Sequence, residues 1–549
     1  MARSVSARAT PARLRGPSRL PSTICSVELD IMTIMRLFAV TVVLARCSPV
    51  IAERPCAARQ VPGQSVVCVC NATYCDQLQR QPPAPAHCLV YTSSNGGSRF
   101  KKTVGSLEPL NEGTSRWFDT TIELDSNTRF QSIEGFGGAV TDAAAINWKS
   151  LPDALQKYLI ESYASETGLE YNMLRIPIGA SDFSTHAYAY NELPINDSLL
   201  TNFTLAPEDY NYKIPLIKAL MSAATAPVHV VSSTWSPPTW MKTNNGYSGF
   251  SRLKREYFQA YADYHVKFIE KYHAAGVPVW AVTTTNEPID GLLHLAKFNT
   301  LGWTVDDMGE YIEKNLGPTL RNSTYKDVKI FTCDDQRFTI PFYFTELIKK
   351  HPKALEYLAG VAVHWYGDMI TPASVLSTVA EAHPDKAILA TEACEGSYPW
   401  QKKVEPGSWK RAVSYITDII QDLNNYVVGW IDWNICLNTE GGPNWVKNFV
   451  DSPIIVNASA EEFIKQPMYY ALGHVAKFVP RGSRRIKLTV HKPLFTKSLK
   501  STAFVTPRNT VVLIVYNAGS AKSVTVKCGE RRASVSLEAD SITTVEFPI

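Results

Sequence analysis

Beyond its first 52 residues, this 549-residue chain has no apolar run of the ~20 residues that a membrane-spanning helix needs. It has no H-E-x-x-H pair, no Walker A loop and no G-x-S-x-G elbow, so zinc peptidase, P-loop and serine hydrolase chemistry have no motif to stand on. Gly135-Phe136-Gly137-Gly138 lacks the G-x-G-x-x-G spacing of a dinucleotide turn. Charge is scarce: 19% of the residues are charged and 45% are hydrophobic, which excludes charge-driven disorder and permits a large core. With 29 Gly and 34 Pro the chain is not collagen-like, and it shows no internal repeat. The net charge of +4 is no nucleic-acid footprint either. Arg3, Arg8, Arg13, Arg15, Arg19, Arg36 and Arg46, against Glu28 and Asp30, more than account for it and leave the rest of the chain at −1.

What is present first suggests export. Arg36 is followed by an apolar run from Leu37 to Ala45 and by Val50-Ile51-Ala52, which ends in the small residue a signal peptidase accepts. Residues 1–52 are therefore expected to be a leader with a signal peptide, an organelle transit segment being the weaker reading. Directly after it stand Cys56, Cys68, Cys70 and Cys75. They could form two bridges or a metal site; the absence of a nearby His and the exported context favour bridges. Asn71, Asn196, Asn202, Asn322 and Asn457 each open an N-x-S/T sequon and are expected glycosylation sites.

From about residue 130 to 435, short β-rich runs alternate with amphipathic stretches. Eight runs read as strands: 130–135, 172–178, 228–233, 279–285, 328–333, 360–365, 387–391 and 427–433. Between them, Tyr257, Tyr261, Tyr264 and Phe268 recur at helical spacing before Gly276, a C-terminal stop signal. Eight such units predict a (β/α)8 barrel within an α/β fold. Both flanks, 53 to about 127 and about 484 to 549, carry alternating short strands and predict a β-sandwich built from the two chain ends.

A barrel's active site lies at the C-terminal ends of its strands. There, strand 4 ends Thr285-Asn286-Glu287-Pro288 and strand 7 ends Thr391-Glu392-Ala393-Cys394. Two carboxylates from facing strands are what glycoside hydrolysis needs, one protonated to serve the leaving oxygen and one ionised to attack the anomeric carbon. Asn286 suits a hydrogen bond to a sugar 2-hydroxyl, and Pro288 is expected to keep Glu287 extended. Arg175, Asp182, Phe183, Trp235, His364, Tyr366 and Trp433 fall at other strand ends, where aromatic faces and polar groups could bind a sugar.

These motifs, with Val363-His364-Trp365-Tyr366, Trp430-Ile431-Asp432-Trp433-Asn434, Glu440-Gly441-Gly442-Pro443-Asn444-Trp445 and Cys68-Val69-Cys70-Asn71-Ala72-Thr73-Tyr74-Cys75, resemble glycoside hydrolase family 30, in particular its acid β-glucosidases, the glucosylceramidases. The resemblance implies a retaining mechanism with Glu287 as acid/base and Glu392 as nucleophile, and no cofactor or metal. It implies a glucose pocket of Arg175, Asp182, Phe183, Trp235, Asn286, Phe298, Tyr366, Trp433 and Asn448, and bridges Cys56–Cys68 and Cys70–Cys75. It also implies three bodies after the leader: a small β-domain from 53–78 and 435–466, a sandwich from 79–127 and 484–549, and the barrel from 128–434 and 467–483. Glucosylceramide in anionic lipid membranes is the implied substrate, in the lysosome, with a saposin-type activator and a trafficking receptor expected at Asp451 to Gln466. The chain departs from the family where the aglycone emerges. Ala296 stands where the family has Tyr, the loop from Asn244 to Arg255 is shorter, and Glu395 replaces a small apolar residue. A polysaccharide-cleaving barrel and a catalytically silent carbohydrate-binding protein are the rival readings. All 11 His lie beyond the leader, so acidification makes the remaining chain cationic and suited to anionic lipid.

Overall fold

The computed structural model describes residues 54–110, 120–293, 296–492 and 499–549; the leader and its signal peptide lie outside the described residues. Eight parallel strands close into a barrel: β1 (Gly135–Ala139), β2 (Met173–Ile178), β3 (His229–Thr234), β4 (Ala281–Thr283), β5 (Lys329–Gln336), β6 (Leu358–His364), β7 (Ala387–Glu392) and β8 (Val427–Asn434), with β8 pairing back onto β1. Seven of these largely coincide with the runs expected from sequence, and the first shares only Gly135 with its run. The first is a correction, because Phe130 belongs to the long strand Thr120–Ser132 of the sandwich sheet and the barrel opens only at Gly135. The alternating pattern around Phe130 marks a half-buried antiparallel strand, whereas Gly-Phe-Gly-Gly-Ala carries too few side chains to read as β. The glycines serve close approach: a Cβ on Gly137 would lie 1.7 Å from the Met173 carbonyl oxygen of the neighbouring strand.

The barrel interior is filled by Met173, Val231, Ala281, Phe331, Ala362, Leu389, Val428 and Ile431, one layer below the open end. Outside, the helix Phe258–Ala274 buries Tyr261, Tyr264 and Phe268 and ends before Gly276, whose φ of +84° is the left-handed stop the sequence signalled.

Ten strands from both ends of the chain form a second sheet, in which Thr120–Ser132 pairs antiparallel with Arg484–His491 and parallel with Lys522–Cys528. Its own core includes Val90, Ile122, Leu124, Leu513, Val515, Val535 and Val545. A third sheet of five strands joins the Cys-rich start to the insert after β8: Val67–Asn71 pairs with Glu462–Lys465. Bridges Cys56–Cys68 and Cys70–Cys75 staple it. Of the sequon residues, Asn71, Asn196, Asn202 and Asn322 are exposed and Asn457 is half-buried at a strand end. Of Asp451 to Gln466, residues 458–461 are exposed, while Asp451 and Gln466 are buried.

Candidate active site

Irregular pairing at the C-terminal rim of the barrel sets which side chains face inward. The β5–β6 register slips between Cys333 and Asp335, with Cys333 and Asp334 at φ +67° and +53°; the β6–β7 register slips beside His364, and the β8–β1 register slips between Asp432 and Asn434. Such bulges re-aim side chains next to functional sites. The first one turns Asp334, invisible to the sequence reading, into the centre of the site.

Asp334 is fully buried and accepts five hydrogen bonds. Oδ2 takes Arg175 Nη2 at 2.8 Å, Ser233 Oγ at 2.7 Å and Thr283 Oγ1 at 2.8 Å; Oδ1 takes Thr391 Oγ1 at 2.6 Å and His364 Nε2 at 3.1 Å. Burial works against its charge, but the Arg175 and His364 cations outweigh burial and hold the carboxyl far below the usual range. Arg175 is itself fully buried and extends from Asp334 to Glu392 Oε2 at 2.5 Å and Asn286 Oδ1 at 2.7 Å. Its guanidinium lies 4.9 Å from the Trp235 ring and 5.4 Å from that of Trp433. Glu392 is completed by Tyr366, whose hydroxyl donates to Oε1 at 3.0 Å.

Glu287 sits opposite. Its Oε1 faces His364 Nδ1 at 2.9 Å and accepts from Gln336 Nε2 at 2.7 Å. Burial first, then the negative charge of Asp290, raise its carboxyl well above the ordinary value; His364 opposes this and Glu392 adds to it. Burial would lower His364, but Glu392, Asp334 and Glu287 overcome it and raise the imidazole to about 10. The backbone of Glu287 corrects an expectation: it is not extended but left-handed, at φ +42°. Pro288 disfavours the right-handed helical region, and the amide of Glu287 is bonded to the Asp334 carbonyl at 2.9 Å, so the chain turns sharply off the short strand β4. Such a conformation costs of order 1–3 kcal/mol and persists where surrounding bonds over-determine it.

These groups open onto a cavity of about 240 Å³, below the ~300–1,000 Å³ of pockets for drug-sized ligands. Asp182, Phe183, Trp235, Asn286, Glu287, Phe298, Tyr366, Glu392, Trp433 and Asn448 all line it, and Arg175 lies behind them. Trp235 and Trp433 stack at 5.2 Å, and Phe183 meets Trp433 edge-on at 5.9 Å. Asp182 receives Asn448 Nδ2 at 3.2 Å and Asn444 Nδ2 at 3.1 Å; burial, helped by Glu392, raises it to about 7. Asp290, Tyr398 and Gln336 belong to the site as well and were missed by sequence. Asp290 follows a strand end by several residues, and Gln336 falls beyond the expected end of strand 5. One ligand-type atom from each of Glu287, His364 and Glu392 lies within 4.8 Å of the others. Both His364 nitrogens are already engaged by carboxylates and Arg175 neutralises Glu392, which favours proton transfer over metal ligation.

The comparisons agree with this geometry. Residues 133–479 match the glycosyl hydrolase family 30 TIM-barrel domain and 482–545 the family 30 beta sandwich domain. Over 475 residues, 85% of this chain and 90% of the other, the sequence is 42% identical to the lysosomal acid glucosylceramidase of Mus musculus. It is 30% identical over 407 residues, 72% of this chain and 80% of the other, to an endo-1,6-beta-D-glucanase of Neurospora crassa. The fold overlays that of SrfJ from Salmonella typhimurium with a TM-score of 0.77 at 25% identity, covering 84% of this chain and 100% of that one. With two glutamates meeting at the mouth of a barrel that the family model spans from its first strand, the protein is a glycoside hydrolase and belongs to glycosyl hydrolase family 30.

Proposed function

We propose that the protein is a retaining β-glucosidase that hydrolyses glucosylceramide to glucose and ceramide, with Glu392 as nucleophile and Glu287 as acid/base. The observation that carries the mechanism is the approach of the two carboxylates, with oxygens of Glu287 and Glu392 within 4.8 Å. Retaining enzymes hold their carboxyl groups about 5–5.5 Å apart, whereas inverting ones leave about 6.5–9.5 Å for a water.

The charge pattern supports the division of labour. Arg175 and His364 are cations, Asp334 and Glu392 are anions, and the four balance. Ionising Glu287 as well would leave a net negative charge in a buried site, so Glu287 keeps its proton. Its Oε1 faces His364 and Gln336, so the proton resides on Oε2. Glu392 attacks the anomeric carbon as Glu287 passes that proton to the leaving oxygen. Esterification removes the charge of Glu392. Glu287, having given up its proton in the same step, carries that charge instead, so the site stays balanced and Glu287 remains ionised until it takes a proton from the water that frees glucose. Arg175 fixes Asn286 through Oδ1, leaving the amide nitrogen for the sugar 2-hydroxyl, where a bond gains strength in the oxocarbenium-like transition state.

The aglycone assignment rests on the 42% identical mouse relative and on a cavity sized for a single sugar ring rather than a bound polysaccharide. The same relative supports a lysosomal site of action. Anionic lipid membranes and a saposin-type activator belong to this proposal as its partners, and a trafficking receptor would find residues 458–461 as the exposed part of its expected segment. The test pairs two substrates and one trap. A 2-deoxy-2-fluoro-β-glucoside should add one fluoroglucosyl unit to the peptide carrying Glu392, read by mass spectrometry, and glucosylceramide in vesicles should be cleaved faster than soluble β-1,6-glucan. Labelling elsewhere refutes the nucleophile; preference for the glucan refutes the lipid substrate.

A further inference from the structure

Asp182, Glu287, Asp290 and Glu392 all bring carboxyl groups to the catalytic cavity. Three of them have neutral or cationic partners: Asp182 holds the amides of Asn444 and Asn448, Glu392 holds Arg175 and the Tyr366 hydroxyl, and Glu287 holds His364 and Gln336. Asp290 differs. Among the described residues the one hydrogen-bond partner of its side chain is the Glu287 carboxyl itself.

Local sequence puts the two groups together. Glu287-Pro288-Ile289-Asp290 is a tight turn, closed by the Asp290 amide donating to the Glu287 carbonyl at 3.0 Å, with proline at the second position, where its fixed φ fits. Such a turn brings its fourth residue back beside its first. Asp335, buried on β5, pins it by accepting the Ile289 amide on Oδ2 at 3.3 Å.

The charged groups that act on Asp290 come from every side of the turn: Glu287 from the turn itself, Asp335 from β5, His364 from β6 and Glu392 from β7. His364 is the one cation among them, and Asp334 and Glu287 already engage it. Burial first, and Glu392 after it, raise the Asp290 carboxyl above its ordinary value, while the bond to Glu287 and the His364 charge oppose this. Two carboxyl groups bonded to each other ionise together only at a cost, so they titrate as a pair that retains one proton after the first has gone.

We propose that Asp290 is the positioning residue of the acid/base: its carboxyl shares a proton with Glu287, keeps Glu287 in the acid form before the first step, and donates a hydrogen bond to the carboxylate that Glu287 becomes in the second. In the first step the bond from the anomeric carbon to the aglycone oxygen breaks, the bond to a Glu392 oxygen forms, and the Glu287 proton goes to the aglycone. Asp290 keeps its own proton and turns it toward the new carboxylate. In the second step water attacks the anomeric carbon, the ester bond breaks with its electron pair returning to Glu392, and the water proton goes to Glu287. This role rests on the assignment of Glu287 as acid/base made above.

The experiment compares the full-length wild type with Asp290→Asn, Asp290→Ala and Glu287→Gln on two soluble substrates. One is a nitrophenyl β-glucoside, whose cleavage needs the acid; the other is a dinitrophenyl β-glucoside, whose leaving group does not, so that the second step limits turnover. With the Asp290 charge gone, the limb on which kcat/KM for the first substrate falls with rising pH should move to lower pH by at least about one unit in both Asp290 variants. At pH 5, kcat on the second substrate should fall at least tenfold in Asp290→Ala, and Asp290→Asn, whose amide still donates a hydrogen bond, should recover most of that loss. A limb that does not move, an Asp290→Asn no better than Asp290→Ala, or a change confined to KM overturns the proposal. Should Asp290→Ala fail to fold, the limb of Asp290→Asn alone decides. Glu287→Gln separates the two readings: if it turns over the nitrophenyl glucoside at the wild-type rate, the acid/base assignment itself falls, whereas a silent Glu287→Gln with an unmoved Asp290→Asn limb strikes only the role of Asp290.

Discussion

Replacing Asp334 by Asn removes one negative charge from the centre of the site while keeping its shape. In the wild type that charge answers two buried cations, Arg175 at 2.8 Å and His364 at 3.1 Å, and its oxygens accept three hydroxyl donors besides. Breaking one partner of a buried pair costs about 3–5 kcal/mol, because the other charge is left uncompensated. At ~2.1 cal/mol/K per residue, a folded body of roughly 490 residues has an unfolding entropy of about 1 kcal/mol/K, so the thermal midpoint should fall by about 3–5 °C. The sign of the pH dependence follows from the direction of the shift. The carboxyl is depressed in the folded state, so its stabilisation is present above the unfolded value near 3.9 and is lost only as pH falls through the folded one. The deficit of Asp334→Asn should therefore be the same at pH 5 and pH 7. Asp334 does not line the cavity, and its role in turnover is to position Arg175, and through it Glu392 and Asn286, as well as His364. We expect kcat to drop about 10²- to 10³-fold, the cost of losing one preorganised electrostatic contact, with KM changed far less. His364, raised to about 10 with this carboxylate beside it, should titrate lower in the variant and add an ionisation to the pH profile. Circular dichroism melts and aryl glucoside kinetics across pH check these points. A variant that melts earlier yet keeps kcat within twofold and an unmoved profile would refute the positioning role; one that melts with the wild type would refute the buried pair.

Glu392→Gln should lower turnover at least 10⁴-fold and also bring the pKa of Glu287 down, making it more acidic, since the Glu392 charge is one of the influences that raise it; carbon-13 NMR of the carboxyl reads the shift. In the wild type, kcat/KM should fall as pH rises through the raised value of Glu287, because the acid form is the active one; a rate that climbs through that range would contradict the assignment. Asp182, raised to about 7, holds its proton at pH 5, so Asp182→Asn should leave KM within about threefold there, while above pH 7 the KM of the wild type alone should change; matched pH dependence in both proteins would count against it. Tyr366→Phe removes the 3.0 Å bond to Glu392 and should cost about 1–2 kcal/mol of transition-state stabilisation, seen as a roughly 5- to 30-fold lower kcat/KM.

What the sequence reveals, and what it hides, follows from how local each signal is. Glu287 and Glu392 are legible because each directly follows an apolar strand in a repeating βα pattern, and the barrel rule then says where to look. Phe183, Trp235, Tyr366 and Trp433 are legible for the same reason and indeed face the cavity. Asp334 is not, because Cys333-Asp334-Asp335 looks like a strand running into a polar loop, and only the slipped register between β5 and β6 turns one of the two aspartates inward. The backbone of Glu287 is hidden for a related reason. The proline rule excludes the right-handed helical region but does not choose between an extended and a left-handed backbone, and the choice is made by a hydrogen bond to a residue 47 positions later. The start of the barrel is misplaced because Gly135–Ala139 pairs through backbone alone, and a strand without side chains leaves no pattern.

Glu287 and Glu392 are chemically identical, and each is placed at the end of a parallel strand; what suits one to the proposed role of acid and the other to that of nucleophile is the distribution of the two cations between them. Glu392 receives Arg175 and the Tyr366 hydroxyl, donors that can serve only an acceptor, and so its ionised form is matched. Glu287 receives His364, but His364 is already paired with Asp334 on its other nitrogen, so its charge is largely spent. Glu287 also faces Asp290, whose own carboxyl is raised, first by burial, and a second ionised carboxylate there has no cation left to answer it. The Asp334 carboxylate thus sets the asymmetry without touching either glutamate carboxyl: by consuming His364 and steering Arg175, it leaves the site balanced with one proton on board. The covalent step shifts that balance by one charge, and the proton on Glu287 is the one that can leave to restore it. The chemistry of a retaining hydrolase needs its acid to become a base between two steps, and in this fold the change follows from charge balance in a buried site, with no movement of the backbone required.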